Sequence, residues 1–162
     1  MKEIFEYIEQ HHDAYLEELF TFLRCKSIST RDEGVKECAE PSCRNHGEKQ
    51  NQGIHLSHGQ ASNCIRGTYR RRNPSHHAGI WPLWCAAAGT LRGMGERTIW
   101  TNHTGREIFC RGVSDDKSQL FTHIKAAQAW AEVKGRLPVN IKYLFEGEEE
   151  IGSPDLLPFV ES

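Results

Sequence analysis

Apolar side chains between residues 117 and 134 recur at the helical period. Leu120, Ile124, Ala127 and Ala131 fall four, three and four residues apart, so they share one face of a helix. Asp115 and Asp116 stand just ahead of it, at the N-terminus. Gly135, free to take a positive φ, ends the helix after Lys134, and Pro138 blocks any continuation. The period then drops to two: Val139, Ile141, Tyr143 and Phe145 alternate with Asn140, Lys142 and Glu146, which predicts a strand over 139–145. Leu144 is apolar on the other side, so the strand should be buried on both faces. Helix followed by strand is the crossover unit of an α/β sheet.

A second apolar stripe opens the chain. Phe5, Ile8, Tyr15, Leu16, Leu19, Phe20 and Leu23 predict one helix over 2–24, with glutamates around the rest of its surface. His11 and His12 are neighbours in that helix and point in different directions, which favours two solvated side chains over a ligand pair. Ser27 to Thr30 is a break, and 34–40 reads as the opening of another helix.

Between residues 41 and 107 the pattern disappears. The text is rich in His, Arg, Asn and Cys and shows neither helical nor strand periodicity. A metal knuckle from Cys38, Cys43, His46 and His55 or His58 matches no strong zinc spacing. A nucleic-acid-touching loop around Tyr69 and Arg70 to Arg72 has no reader module about it.

Composition narrows the classes. With 162 residues the chain can bury a real core as one domain. A net charge of −2 argues against a nucleic-acid or membrane-surface protein. A mean hydropathy of −0.62 is low for a compact sheet protein, so part of the chain is expected to be unpacked. No apolar run is long enough to span a bilayer, and Met1 to Gln10 lacks the apolar stretch of a signal peptide. Six cysteines without a secreted spacing read as reduced thiols in a cytoplasmic chain.

The candidate chemistry lies at the end of the second periodic unit. Gly147-Glu148-Glu149-Glu150-Ile151-Gly152 follows the strand, where open α/β sheets bind their ligands. Three adjacent carboxylates repel one another, so a positive group, such as a divalent cation, is expected beside them. The plainer alternative is an acidic surface turn before a helix with Ser153 as N-cap and Pro154 as first residue.

Arg-Gly-Val-Ser-Asp-Asp-Lys, at 111–117, followed one helix and one strand later by Leu-Phe-Glu-Gly-Glu-Glu-Glu-Ile-Gly-Ser, at 144–153, resembles the dimetal peptidase family M20. That family includes carnosinase-type dipeptidases, acetylornithine deacetylase and succinyl-diaminopimelate desuccinylase. The likeness covers about the last third of the chain, and the first forty residues look like the family's N-terminal helix. It implies an α/β fold, here the incomplete N-terminal part of a dimetal-peptidase catalytic domain with an irregular middle segment. It also implies that Asp115 bridges two metal ions, that Glu149 is the general base and that Glu150 is a terminal metal ligand. Two Zn²⁺ ions, with Mn²⁺ or Co²⁺ as alternatives, would activate a shared water against the amide of a dipeptide or N-acyl amino acid.

The middle segment departs from the family, and the genetic code suggests why. Ile80 to Ala87, written ATA TGG CCA TTA TGG TGT GCA GCC and read from the second nucleotide, gives Tyr-Gly-His-Tyr-Gly-Val-Gln-Pro. The family's motif there is Gly-His-x-Asp-Val-Gln-Pro, which carries its first metal-binding histidine. Single-codon residues restrict the choice: Trp81 must yield the glycine before the histidine, and Met94 with any following glycine must yield Trp. Trp84 forces Gly where the family has Asp, whose codon would read as a stop in the present frame. Compensating frameshifts near Glu40 and Glu107 are therefore expected, dividing the chain into a helical part at 1–40, an out-of-frame and poorly packed part at 41–107, and a helix-strand-turn part at 108–162.

On this reading the chain is a truncated family member, inactive by itself, that lacks the family's later ligands; a separate reading frame could encode the missing half. The alternative from another class is a non-enzymatic metal- or nucleic-acid-binding protein that uses the Cys/His/Arg-rich middle.

Overall fold

The computed structural model describes residues 1–31, 33–35, 38, 55–58, 64–69, 77–84, 102–104 and 107–161, with the strands before residue 107 described by backbone course alone. Helices α1 (Lys2–Gln10) and α2 (His12–Arg24) come first. Strands β1 (His55–His58), β2 (Cys64–Tyr69), β3 (His77–Trp84), β4 (Asn102–Thr104) and β5 (Glu107–Phe109) follow. The chain continues with α3 (Lys117–Lys134), β6 (Asn140–Glu146) and α4 (Leu156–Glu161).

The helix-strand unit forms as its periodicity predicts. Helix α3 ends at Gly135, whose φ of 67° is the left-handed conformation expected of a glycine past a helix end. Strand β6 is central in a four-stranded sheet of order β1-β2-β6-β3, antiparallel to β2 and parallel to β3. The parallel β3–β6 pair is joined through α3, which is the expected crossover. Tyr143, Leu144 and Phe145 are all buried. Tyr143 and Phe145 join the core with Leu120, Ile124, Ala127 and Phe22, while Leu144 packs with Phe159 of α4. Layers on both faces of β6 thus explain the apolar residue that breaks its alternation.

Polar side chains fasten the first two helices to α3. Lys125 is buried, pairs with Glu18 and lies over the rings of Tyr15 at 4.8 Å and Phe121 at 5.1 Å. Lys134 pairs with Glu3, whose carboxyl it holds below the usual glutamate range.

Three expectations need revision. The helix expected over 2–24 is two helices, divided at His11, whose ring stacks on Tyr7 at 4.0 Å and whose Nδ1 lies 2.8 Å from the Tyr7 carbonyl. The Tyr7 carbonyl is thus shared between the ring and His11 N–H, which donates to it at 3.1 Å. The last helix begins at Leu156, not Pro154, because Ser153 adopts a φ of 54° within the preceding turn. The middle segment, which shows no strand periodicity, nevertheless contributes β1, β2, β3 and β4. Their backbone pairing, in β1–β3 against β6 and its neighbours, does not require alternating side chains. The expectation of poor side-chain packing at 41–107 lies outside the described residues, as do Cys43 and His46 of the knuckle. Cys38 is a buried member of the core. In the expected helix at 34–40, Val35 and Cys38 are helical, with Cys38 N–H donating to the Gly34 carbonyl at 2.9 Å.

Candidate functional site

Two acidic turns flank the α3–β6 unit. The first, at 110–116, leads into α3. Gly112 takes a φ of 78°, Val113 N–H donates to the Cys110 carbonyl at 3.3 Å, and the Asp115–Asp116 peptide bond is cis. Asp115 is exposed and Asp116 is half-buried at the helix N-cap. Both ends of this turn are fixed to α2: Cys110 Sγ donates to the Leu23 carbonyl at 3.8 Å, and Lys117 Nζ donates to the carbonyls of Phe22 at 3.3 Å and Cys25 at 2.7 Å.

The second turn closes on itself after β6. Ile151 and Ser153 N–H groups both donate to the Glu148 carbonyl, at 3.0 and 2.9 Å, and Gly152 N–H donates to that of Glu149 at 2.9 Å. Glu146 and Glu148 are buried, whereas Glu149 and Glu150 are exposed. The Glu146 carboxylate accepts from Glu148 N–H at 3.3 Å, and the Glu148 carboxylate accepts from Asp155 N–H at 3.2 Å, just before α4. Burial pushes the Glu146 carboxyl above the usual range. The charges of Glu148 and Glu149 add to that rise, while hydrogen bonds from Ser153 and from Glu148 N–H oppose it.

One ion pair joins the turns: Arg111 Nη2 lies 2.7 Å from Glu150 Oε1. The positive group expected beside the glutamates is, among the described residues, this guanidinium. Arg111, Lys117 and Glu146 were not singled out by their sequence. Arg111 and Lys117 lie in the quoted motif, but the partners they reach are remote in the chain. Glu146 could have been noted as a carboxylate at the end of a strand buried on both faces.

Metal-ligand fit is incomplete. Among the described residues no group of three or more His, Cys, Asp or Glu side chains is arranged to hold an ion. Asp115 and Glu150 belong to different turns, and one Glu150 oxygen is engaged by Arg111. Carboxylates alone are also a poor donor set for Zn²⁺, which favours nitrogen and sulfur ligands. The described residues therefore do not constitute a dimetal centre.

Residues 93–161 match the sequence model of Peptidase family M20/M25/M40. Human Beta-Ala-His dipeptidase is 40% identical over 55 residues, which are 34% of this chain and 11% of that protein. The Cys-Gly metallodipeptidase dug1 of Schizosaccharomyces pombe is 42% identical over 59 residues, 36% of this chain and 12% of that protein.

In fold, the chain resembles human carnosine dipeptidase 1 with a TM-score of 0.80 at 22% identity, over 99% of this chain and 37% of that one. It resembles an M20 family metallo-carboxypeptidase from Sulfolobus solfataricus with a TM-score of 0.72 at 24% identity, over 91% and 33%. The chain thus spans about a third of these solved structures. No helix among the described residues is long and apolar enough to cross a membrane.

Proposed function

We propose that this chain carries the aspartate and glutamate turns of a metal-dependent dipeptidase-type amidohydrolase, and that it does not hydrolyse dipeptides by itself. The observation that carries this reading is the Arg111–Glu150 contact, which brings together two motifs 39 residues apart. The metal-site roles are Asp115 as the ligand shared between two ions, Glu150 as a terminal ligand and Glu149 as the general base. A divalent pair, zinc or its substitutes manganese and cobalt, would supply an activated water when bound. The substrate class is a dipeptide or N-acyl amino acid, in a cytoplasmic setting. Inactivity is supported by the sequence, which at 80–87 does not carry the family's histidine-bearing motif.

The same proposal treats 41–107 as out of frame. Fold likeness extends over 99% of the chain, whereas the family's sequence match is confined to 93–161. It begins ahead of the rejoining point near Glu107, so that junction is less sharply defined than the codons suggest. In the sheet, Pro82 and Leu83 are register partners of Leu144 and Phe145. The codons that spell histidine in the shifted frame therefore fall beside the strand that leads into the glutamate turn.

The full chain, supplied with Zn²⁺ or Mn²⁺, is expected to leave Cys-Gly and β-Ala-His uncleaved. Hydrolysis abolished by Glu149→Gln would overturn the inactivity and retain the assigned base. Hydrolysis unaffected by Glu149→Gln and by Asp115→Asn would sink the site assignment. The frame reading is tested by the gene's nucleotide sequence, which must spell a histidine-bearing turn one base over from Ile80 to Ala87. A metal knuckle in the middle segment is disfavoured by Cys38, whose side chain lies in the apolar core.

A further inference from the structure

Lys117 is the first residue of α3 and only 3% exposed. Nothing about the helix itself asks for it. A cation in a first turn opposes the helix dipole, and a buried ammonium is costly unless its donors are satisfied. Its Nζ instead crosses to the end of α2, where it donates to the Phe22 and Cys25 carbonyls and lies 5.2 Å from the centre of the Phe22 ring. Those carbonyls belong to the last turn and cap of α2, where a cation is favoured; that of Phe22 also accepts from Cys25 N–H at 3.2 Å. The Lys117 stem also fits against Gly112: a Cβ there would stand 3.3 Å from both Cγ and Cδ of the lysine. From the other end of the turn, Cys110 donates to the next carbonyl along α2, that of Leu23.

We infer that Lys117 is a positioning residue, which clamps the 110–116 turn onto the end of α2 and so holds the exposed Asp115 in place. The role deepens the assignment of Asp115 as a functional carboxylate and rests on it. The clamp acts from behind the turn, through backbone carbonyls, and leaves the Asp115 carboxylate outside.

Backbone ¹⁵N relaxation on the full chain tests it. In the wild type, residues 110–116 are expected to show order parameters near the rigid value of about 0.85. In Lys117→Met, which keeps the stem and removes the donors, they are expected to fall below about 0.6, while 120–131 of α3 keep wild-type values. Gly112→Ala presses on the same stem without removing the ammonium and is expected to loosen the same residues, so a Lys117→Met chain that does not fold leaves the idea testable. Wild-type values below about 0.6 at 110–116, or a turn left rigid by both variants, would overturn the clamp. So would a loss shared equally by α2 and α3, which marks a merely structural lysine.

Paramagnetic broadening by Mn²⁺ separates this from the functional reading. Broadening at Asp115 in the wild type that weakens in Lys117→Met supports both. Its absence in the wild type sinks the metal-site role and leaves the relaxation data to decide the clamp.

Discussion

The aspartate turn draws its order from elsewhere in the molecule, through Lys117, Cys110 and Arg111, whereas the glutamate turn is closed by its own backbone around the Glu148 carbonyl. In the first, cations and a thiol of the segment itself reach remote acceptors and hold a turn whose Asp115 carboxylate stays in water. In the second, local hydrogen bonds hold two carboxylates that are buried at some cost. Removing charge should therefore have opposite consequences in the two places. A cation removed from the aspartate turn takes the donor from the Cys25 carbonyl, and a carboxylate neutralised in the glutamate turn removes repulsion and a desolvation penalty.

The largest expected effect is that of Lys117→Met, about 2–3 kcal/mol of destabilisation, because the Cys25 carbonyl loses its donor and the Phe22 carbonyl is left with Cys25 N–H alone. Urea denaturation measures it, and a loss under about 0.5 kcal/mol would remove the distinction between the turns. Gly112→Ala comes next, at about 1–2 kcal/mol, because a left-handed backbone is combined with crowding from the Lys117 stem. Gly152→Ala in the other turn, at a φ of 88° but with nothing near the added Cβ, should cost less, about 1 kcal/mol. Equal losses at the two glycines would show that the lysine stem is not fixed against Gly112.

Glu146→Gln should stabilise. Because the folded-state pKa of Glu146 is raised, its contribution is fully present below the ordinary glutamate value of about 4.3 and is lost as pH rises through the folded value. The variant's advantage in thermal midpoint should therefore grow from about pH 4 toward neutrality and vanish in acid. An advantage independent of pH would contradict the assigned burial penalty. The smallest effect is expected for Arg111→Gln, below about 1 kcal/mol and diminished by salt, because about a third of each partner in the Arg111–Glu150 pair is exposed.

The α3–β6 unit was legible from 117–145 because each of its elements repeats at its own short period, and Gly135 marks the boundary between them. The motif residues Asp115, Glu149 and Glu150 were legible as a resemblance, together with the acidic character of the turn after the strand. Their surroundings were not. The division of the first helix depends on a ring stacked on Tyr7, and the late start of α4 depends on the conformation of Ser153. Neither leaves a mark in an apolar stripe. The strands between residues 55 and 84 escaped for a related reason: their places are defined by backbone pairing with β6, which any side-chain text that avoids clashes can join.

The chain's sequence alone determined that a helix and a doubly buried strand sit between two acidic segments, since amphipathic period and turn chemistry are properties of adjacent residues. Tertiary structure alone decided what holds those segments. Lys117 finds its acceptors 92 and 95 residues earlier, and Arg111 finds Glu150 39 residues later. Such partners are chosen by which ends of helices and strands the packed core brings within hydrogen-bond reach, and no local pattern encodes that distance.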